Sequence, residues 1–157
     1  MKWRLMAVGR GMPEPVRMLV DDYTKRLKRY GQFELIEIAE AHRQGGLSPN
    51  KAMVQEANRL KKQLKQGDGV LVVLDSRGQV FSSEKWASRL NQWRQDALGP
   101  VTFIIGGPDG VAPELVKQAD LRLSLGSMTF PHMLARVLLL EQLYRAMTII
   151  HGVPYHR

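Results

Sequence analysis

The sequence predicts an α/β fold: a single domain with a mainly parallel sheet flanked by helices. Three observations lead there. Val70 to Leu74, a continuous apolar run, and Val101 to Ile105 both read as strands covered on both faces. Segments between such runs carry apolar residues at helical spacing. The two kinds of segment alternate along the chain, the order that builds parallel strands joined by crossover helices.

Lys2 to Val8 reads as the first strand, with Trp3, Leu5 and Ala7 alternating against Lys2, Arg4 and Met6. Gly9-Arg10-Gly11 and Pro13 end it. A helix is expected from Pro15 to Tyr30, with Val16, Leu19, Val20, Tyr23, Leu27 and Tyr30 as its apolar stripe. Lys25, Arg26, Lys28 and Arg29 crowd its last turns, where cations suit the negative end of the helix dipole. Phe33 to Ile38 is the second strand. Ala39 to Leu47, with Gly45-Gly46 and His42 as a surface residue, reads as a loop. Ser48-Pro49 then has the form of an N-cap followed by proline at the first helical position. Met53, Ala57, Leu60 and Leu64 make that helix's buried face. Arg59, Lys61, Lys62 and Lys65 lie mostly off it, and Gly67 is expected to end it.

After Val70 to Leu74, Asp75-Ser76-Arg77-Gly78 reads as a turn. A helix from Ser83 to Ala97 carries Trp86, Leu90 and Trp93 on one face. The strand Val101 to Ile105 runs into Gly106-Gly107-Pro108-Asp109-Gly110. Pro113 opens a short helix to Ala119. Leu121 to Leu125 is the last strand, and Gly126 to Phe130 a loop. Pro131 starts a final helix to about Ile150 that is apolar on more than one face. Such a helix sits centrally in its domain or packs against another subunit.

Composition narrows the function. The chain has 157 residues, with 23 Lys or Arg against 15 Asp or Glu, a net charge of +8. Ordinary globular proportions, 44% hydrophobic and 24% charged, argue against a largely disordered chain. The absence of cysteine excludes disulfides, iron–sulfur clusters, Cys-based zinc sites and thiol nucleophiles. His42, His132, His151 and His156 have no metal-ligand spacing, so no metal is expected. No apolar run approaches the roughly 20 residues of a spanning helix, and Arg4 interrupts any signal core. A soluble cytoplasmic protein with no membrane partner is the expectation. The excess positive charge favours a polyanion, nucleic acid first, over a merely solvated lysine-rich surface.

Ligands of open parallel sheets bind beyond the carboxyl ends of the strands. Three such ends carry suggestive residues: Leu74-Asp75, Gly106 to Gly110, and Leu125 to Phe130. Their glycines allow close backbone approach, although Gly106 to Gly110 reads equally well as a plain tight turn. The dinucleotide fingerprint fails because Glu14 stands at its third glycine, and neither a phosphate loop nor a GxSxG elbow is present. The closing Pro154-Tyr155-His156-Arg157 offers an aromatic face, an imidazole and a cation. These suit stacking, proton transfer and anion binding at an RNA base, with a frayed tail as the alternative.

Taken together, these segments resemble a known family. They are Leu5 to Gly9, Phe33 to Ile38, Phe103 to Gly110, Leu123 to His132, Leu143 to Ala146 and Pro154 to Arg157. In order and spacing they resemble ribosomal large subunit methyltransferase H, a bacterial family of the SPOUT class, over essentially the whole chain. The resemblance implies one SPOUT-type domain over residues 1–157 with a C-terminal trefoil knot. It further implies a homodimer that uses S-adenosyl-L-methionine to methylate N3 of a pseudouridine in helix 69 of 23S ribosomal RNA, on assembled ribosomes. The cofactor residues it implies are Leu74, Gly106, Leu125, Gly126, Ser127, Met128, Thr129 and Phe130. N3 carries an imide proton, so the reaction needs a base or an anion stabiliser. His156 and His132 are the candidate bases, with the tail preferred. Tyr155 would stack on the ring, and Arg157 or Arg136 would stabilise its charge. Two rivals stand beside this reading: a non-catalytic ribosome- or RNA-binding protein, and a nucleotide-dependent oxidoreductase or hydrolase on an ordinary doubly wound sheet.

Overall fold

The computed structural model describes residues 1–41, 46–64 and 69–157. Its strands are β1 (Lys2–Val8), β2 (Gln32–Ile38), β3 (Val70–Val80), β4 (Val101–Ile105) and β5 (Leu121–Ser124). They form one sheet in the order β2-β1-β4-β3-β5, and every neighbouring pair is parallel. The helices are α1 (Glu14–Leu27), α2 (Pro49–Gln63), α3 (Ser83–Gln95), α4 (Pro113–Lys117) and α5 (His132–Ile150).

The period-two alternation of the strands divides the interior into two cores. Trp3, Leu5, Ala7, Val72, Phe103 and Ile105 pack with α1, α3 and α5. Met6, Val8, Val73 and Ile104 pack with α2 and α4. Both faces are covered, which is why Val70 to Leu74 of β3 is an unbroken apolar run and β4 is apolar but for Thr102. Trp86 anchors the larger core, edge-on to Trp93 at 5.9 Å and to Phe103 at 6.2 Å between ring centroids. Helix α5 occupies the middle of its layer, packed by α1 on one side and α3 on the other. That position buries Leu139, Leu140, Leu143 and Met147 together, as its all-round apolar sequence requires. Among the described residues no helix is long and apolar enough to cross a membrane.

Three expectations need correction. Helix α1 ends at Leu27 rather than Tyr30, and Leu19 is 46% exposed, outside the buried stripe. Arg4, a cation within the covered sheet, is 5% exposed; its Nε lies 3.4 Å from Glu34 and its Nη2 donates to the Gln63 carbonyl. Lys2-side polarity and a sheet covered on both faces conflict here, and the guanidinium resolves the conflict by reaching polar partners at the sheet's edge. The segment Asp75 to Gly78 is not a free turn. It lies within β3, whose register against β5 jumps so that Leu123 faces both Leu74 and Gln79. Pairing with β5 carries the strand through a local sequence that favours a turn, and the surplus residues form a bulge. Finally, α2 closes at Gln63 with Leu64 as its C-cap. Expectations for His42, Gly45, Lys65 and Gly67 lie outside the described residues. At its start α2 is as read, with Ser48 Oγ accepting the Lys51 N–H at 3.3 Å.

Candidate active site

The bulge midway along β3, where the sequence reading ends the strand at Leu74-Asp75, and the carboxyl ends of β4 and β5 enclose a cavity of about 450 Å³. Leu74, Ile105, Leu123, Leu125 and Phe130 give it apolar walls, and Asp75, Arg77, Asp109 and His132 give it polar ones. Of the expected cofactor residues, Leu74, Gly106, Leu125, Gly126, Met128, Thr129 and Phe130 line it; Ser127 does not.

Each lip has a local cause. Past β4 the chain reverses in a tight turn, the Gly110 N–H donating to the Gly107 carbonyl at 2.9 Å. The tight turn is therefore itself one lip of the cavity. Gly106 has no room for a side chain: a Cβ there would lie 2.5 Å from the Gly110 oxygen and 2.8 Å from the Val111 nitrogen. Past β5, Ser124 Oγ accepts the Gly126 N–H at 3.2 Å and lies 3.2 Å from the Ser76 carbonyl. This ties the third lip to the β3 bulge. In the bulge, Asp75 accepts the Arg77 N–H at 2.9 Å and the Arg122 guanidinium at 2.8 Å. Burial pushes the Asp75 carboxyl up, but these bonds outweigh it and hold the group below its ordinary value.

His132 is the first residue of α5 and faces the cavity beside Gly9, where a Cβ would lie 3.1 Å from its Nε2. Burial pushes its pKa down, the Arg136 charge adds to the effect, and Glu40 opposes it. The imidazole is thus neutral at pH 7 and able to accept a proton.

Arg136 has a different task from the one expected. It is fully buried, and its Nη2 donates to the Val8 carbonyl at 3.0 Å and the Gly9 carbonyl at 2.7 Å. Its Nη1 pairs with Glu37 at 3.0 Å. The guanidinium therefore caps the end of β1 and pins α5 to it, instead of facing a ligand.

The C-terminal tail is docked, not frayed. The Tyr155 hydroxyl donates to Glu141 at 3.1 Å, its ring meets Tyr144 edge-on at 4.9 Å, and Arg145 lies over it at 4.8 Å. Burial, then its hydrogen bonds, raise the Tyr155 phenol well above its ordinary value. His156 is held through both ring nitrogens, Nδ1 lying 3.3 Å from Arg145 Nη1 and Nε2 2.8 Å from Glu84 Oε1. Glu84 is lowered to about 2 by its own N–H, by His156 and by Ser82. Within one chain, this tail and the cavity do not meet. His132 and Arg145 mark opposite halves of α5, roughly 20 Å apart at the helical rise of 1.5 Å per residue.

A family model described as a predicted SPOUT methyltransferase matches residues 1–156. The chain belongs to the SPOUT methyltransferases. A protein of Magnetococcus marinus named ribosomal RNA large subunit methyltransferase H is 46% identical, with 99% of each chain covered. Its namesake in Acetivibrio thermocellus is 44% identical over the whole of both chains. Among solved structures, a probable methyltransferase of Bordetella pertussis superposes with a TM-score of 0.57 at 14% identity, covering 92% of this chain and 93% of its own. A probable methylase family protein of Haemophilus influenzae superposes at 0.55 with 11% identity, covering 99% of this chain and 70% of its own. At those identities the likeness is one of fold.

In this SPOUT methyltransferase several site residues escaped the sequence reading. Arg77 and Asp109 sat inside segments that were singled out, without themselves being assigned. Glu141 and Arg145, which hold the tail, form an i,i+4 ion pair on α5, and that spacing was a legible signal.

Proposed function

We propose that this SPOUT methyltransferase transfers a methyl group from S-adenosyl-L-methionine to N3 of a pseudouridine in helix 69 of 23S ribosomal RNA. It acts on assembled ribosomes in the cytoplasm, as a homodimer, with the loops around the cavity tied in a trefoil knot. The carrying observation is the cavity itself: two backbone turns and the β3 bulge meet at one rim of a parallel sheet. Its volume suits a nucleoside-sized ligand. Its donor set fits as well. Apolar Leu74, Leu125 and Phe130 suit the adenine faces, glycine backbone at 106–110 and 126 suits its edge, and the Asp75 and Asp109 carboxylates suit hydroxyl and ammonium groups.

The bound cofactor supplies an electrophilic methyl on sulfur, so the chain's task is positioning and proton removal. The target N3–H is weakly acidic and must lose its proton. Of the two candidate histidines we assign this step to His132, which is neutral and lines the cavity. Both ring nitrogens of His156 are engaged by Arg145 and Glu84, and we assign it to holding the tail. An isologous dimer with antiparallel α5 helices sets the tail end of one helix beside the His132 end of the other. That arrangement brings Tyr155 and Arg157 of a second copy to the target base, for stacking and for anion stabilisation.

Labelled methyl incorporation into ribosomes lacking this modification tests the reading. The full chain is expected to label helix 69, and deletion of Tyr155, His156 and Arg157 to slow the rate by about 10²-fold or more. Absence of label overturns the proposal. No binding of S-adenosylmethionine at millimolar ligand would favour a non-catalytic RNA-binding protein.

Gly106→Val is expected to weaken S-adenosylmethionine by at least about tenfold, ~1.4 kcal/mol, read by calorimetry. The added Cβ displaces the 107–110 turn and so reshapes a whole lip of the cavity. An unaltered affinity contradicts this.

A further inference from the structure

One cation stands at the mouth of the cavity without a task. Arg77 is the one Lys or Arg among the described residues that line it, and its side chain is 85% exposed. Its mount is rigid. Asp75 accepts its backbone N–H at 2.9 Å and stands 3.7 Å from its Nε. The other oxygen of Asp75 is held by Arg122 at 2.8 Å, and Ser124 Oγ lies 3.2 Å from the carbonyl of Ser76. Behind it, Gly78 packs so closely on β5 that a Cβ would lie 2.6 Å from the Arg122 oxygen. The β3 bulge thus projects a guanidinium into solvent from a backbone fixed on both sides. Two arginines share one carboxylate, which leaves net positive charge at this lip.

An RNA whose base enters the cavity must carry its flanking phosphates across the rim. A planar guanidinium fork matches a phosphate in geometry and charge. Its 85% exposed side chain stands within reach of a ligand crossing the mouth. We infer that Arg77 is a phosphate-binding residue for the RNA strand that presents its base to the cavity. The inference rests on the reading that the substrate is RNA.

The test measures binding of unmodified ribosomes across a salt series, for the wild type, Arg77→Gln and Arg77→Lys. Binding of S-adenosylmethionine is measured in parallel by calorimetry. Arg77→Gln is expected to lower the slope of log K against log salt by about 0.7–0.9, the loss of one phosphate contact. Arg77→Lys keeps the slope because it keeps the charge. Affinity for S-adenosylmethionine is expected to change less than affinity for ribosomes in both variants, since the guanidinium lies at the rim of the cavity and is mostly in solvent. An unchanged slope in Arg77→Gln overturns the inference. So does a weakened cofactor with an unchanged slope, which assigns the guanidinium to the cofactor's carboxylate. Weakening of both ligands in both variants overturns it too, since that marks collapse of the lip. Wild-type methyl incorporation is followed alongside. Ribosome binding with the expected slopes but no transfer defeats the proposed reaction and leaves the Arg77 contact standing. Transfer with an unchanged slope does the reverse.

Discussion

Arg136→Ala is expected to destabilise the protein by about 3–5 kcal/mol, the usual cost of removing one member of a buried ion pair. For a chain of this size that lowers the melting temperature by roughly 10 °C. The argument begins with burial: Arg136 has no exposed surface, and burial lowers its pKa while Glu37 raises it. It remains charged, since an arginine starts so far above neutrality. Its loss strands three acceptors at once, the carbonyls of Val8 and Gly9 and the carboxylate of Glu37. The Glu37 side chain keeps 26% exposure, so water relieves part of its cost. The two carbonyls lie at buried or nearly buried backbone and bear the rest. Arg136→Met restores volume without a donor and should fall almost as far. Glu37→Gln keeps an oxygen for Arg136 and should cost much less. Calorimetric melting checks all three, and a shift under about 2 °C for Arg136→Ala refutes the account.

Arg136 also marks the limit of what the chain discloses before folding. Val101–Ile105 is the same strand in sequence and structure, because burial on both faces makes it apolar throughout but for Thr102, itself buried. Much of the cavity was legible for a related reason: open parallel sheets take ligands at strand carboxyl ends, and Gly106-Gly107-Pro108-Asp109-Gly110 and Gly126 follow two of them. Contacts between distant parts of the chain were not legible. Arg136 sits 128 positions from the Val8 carbonyl it caps, and nothing in either segment announces the other. On α5 it reads as a cation available to a ligand. The same limit explains β3. Asp75-Ser76-Arg77-Gly78 has the composition of a turn, but the partner that extends the strand through it lies in β5. The tail could be read as chemistry, yet its docking partner Glu84 lies 72 positions upstream.

His132→Asn is expected to cut the methyl-transfer rate by about 10²–10⁴, the range for removing a positioned general base. Asparagine keeps polarity and approximate size, so the cavity wall survives while proton acceptance is lost. The pH profile separates this role from a structural one. Burial lowers the His132 pKa, so the base stays unprotonated to pH values below the ordinary ~6.5 of histidine. The acidic limb of the wild-type rate should therefore lie below the pH at which an ordinary histidine titrates. In His132→Asn the acidic limb should vanish along with most of the rate. His156→Asn should behave differently, because His156 already spends both ring nitrogens on Arg145 and Glu84. Losing it loosens the tail and lowers the rate, but the acidic limb remains where the wild type has it. The opposite pattern, a limb abolished by His156→Asn and retained by His132→Asn, moves the base to the tail. It would also mean that the tail leaves its docked position before the proton is taken.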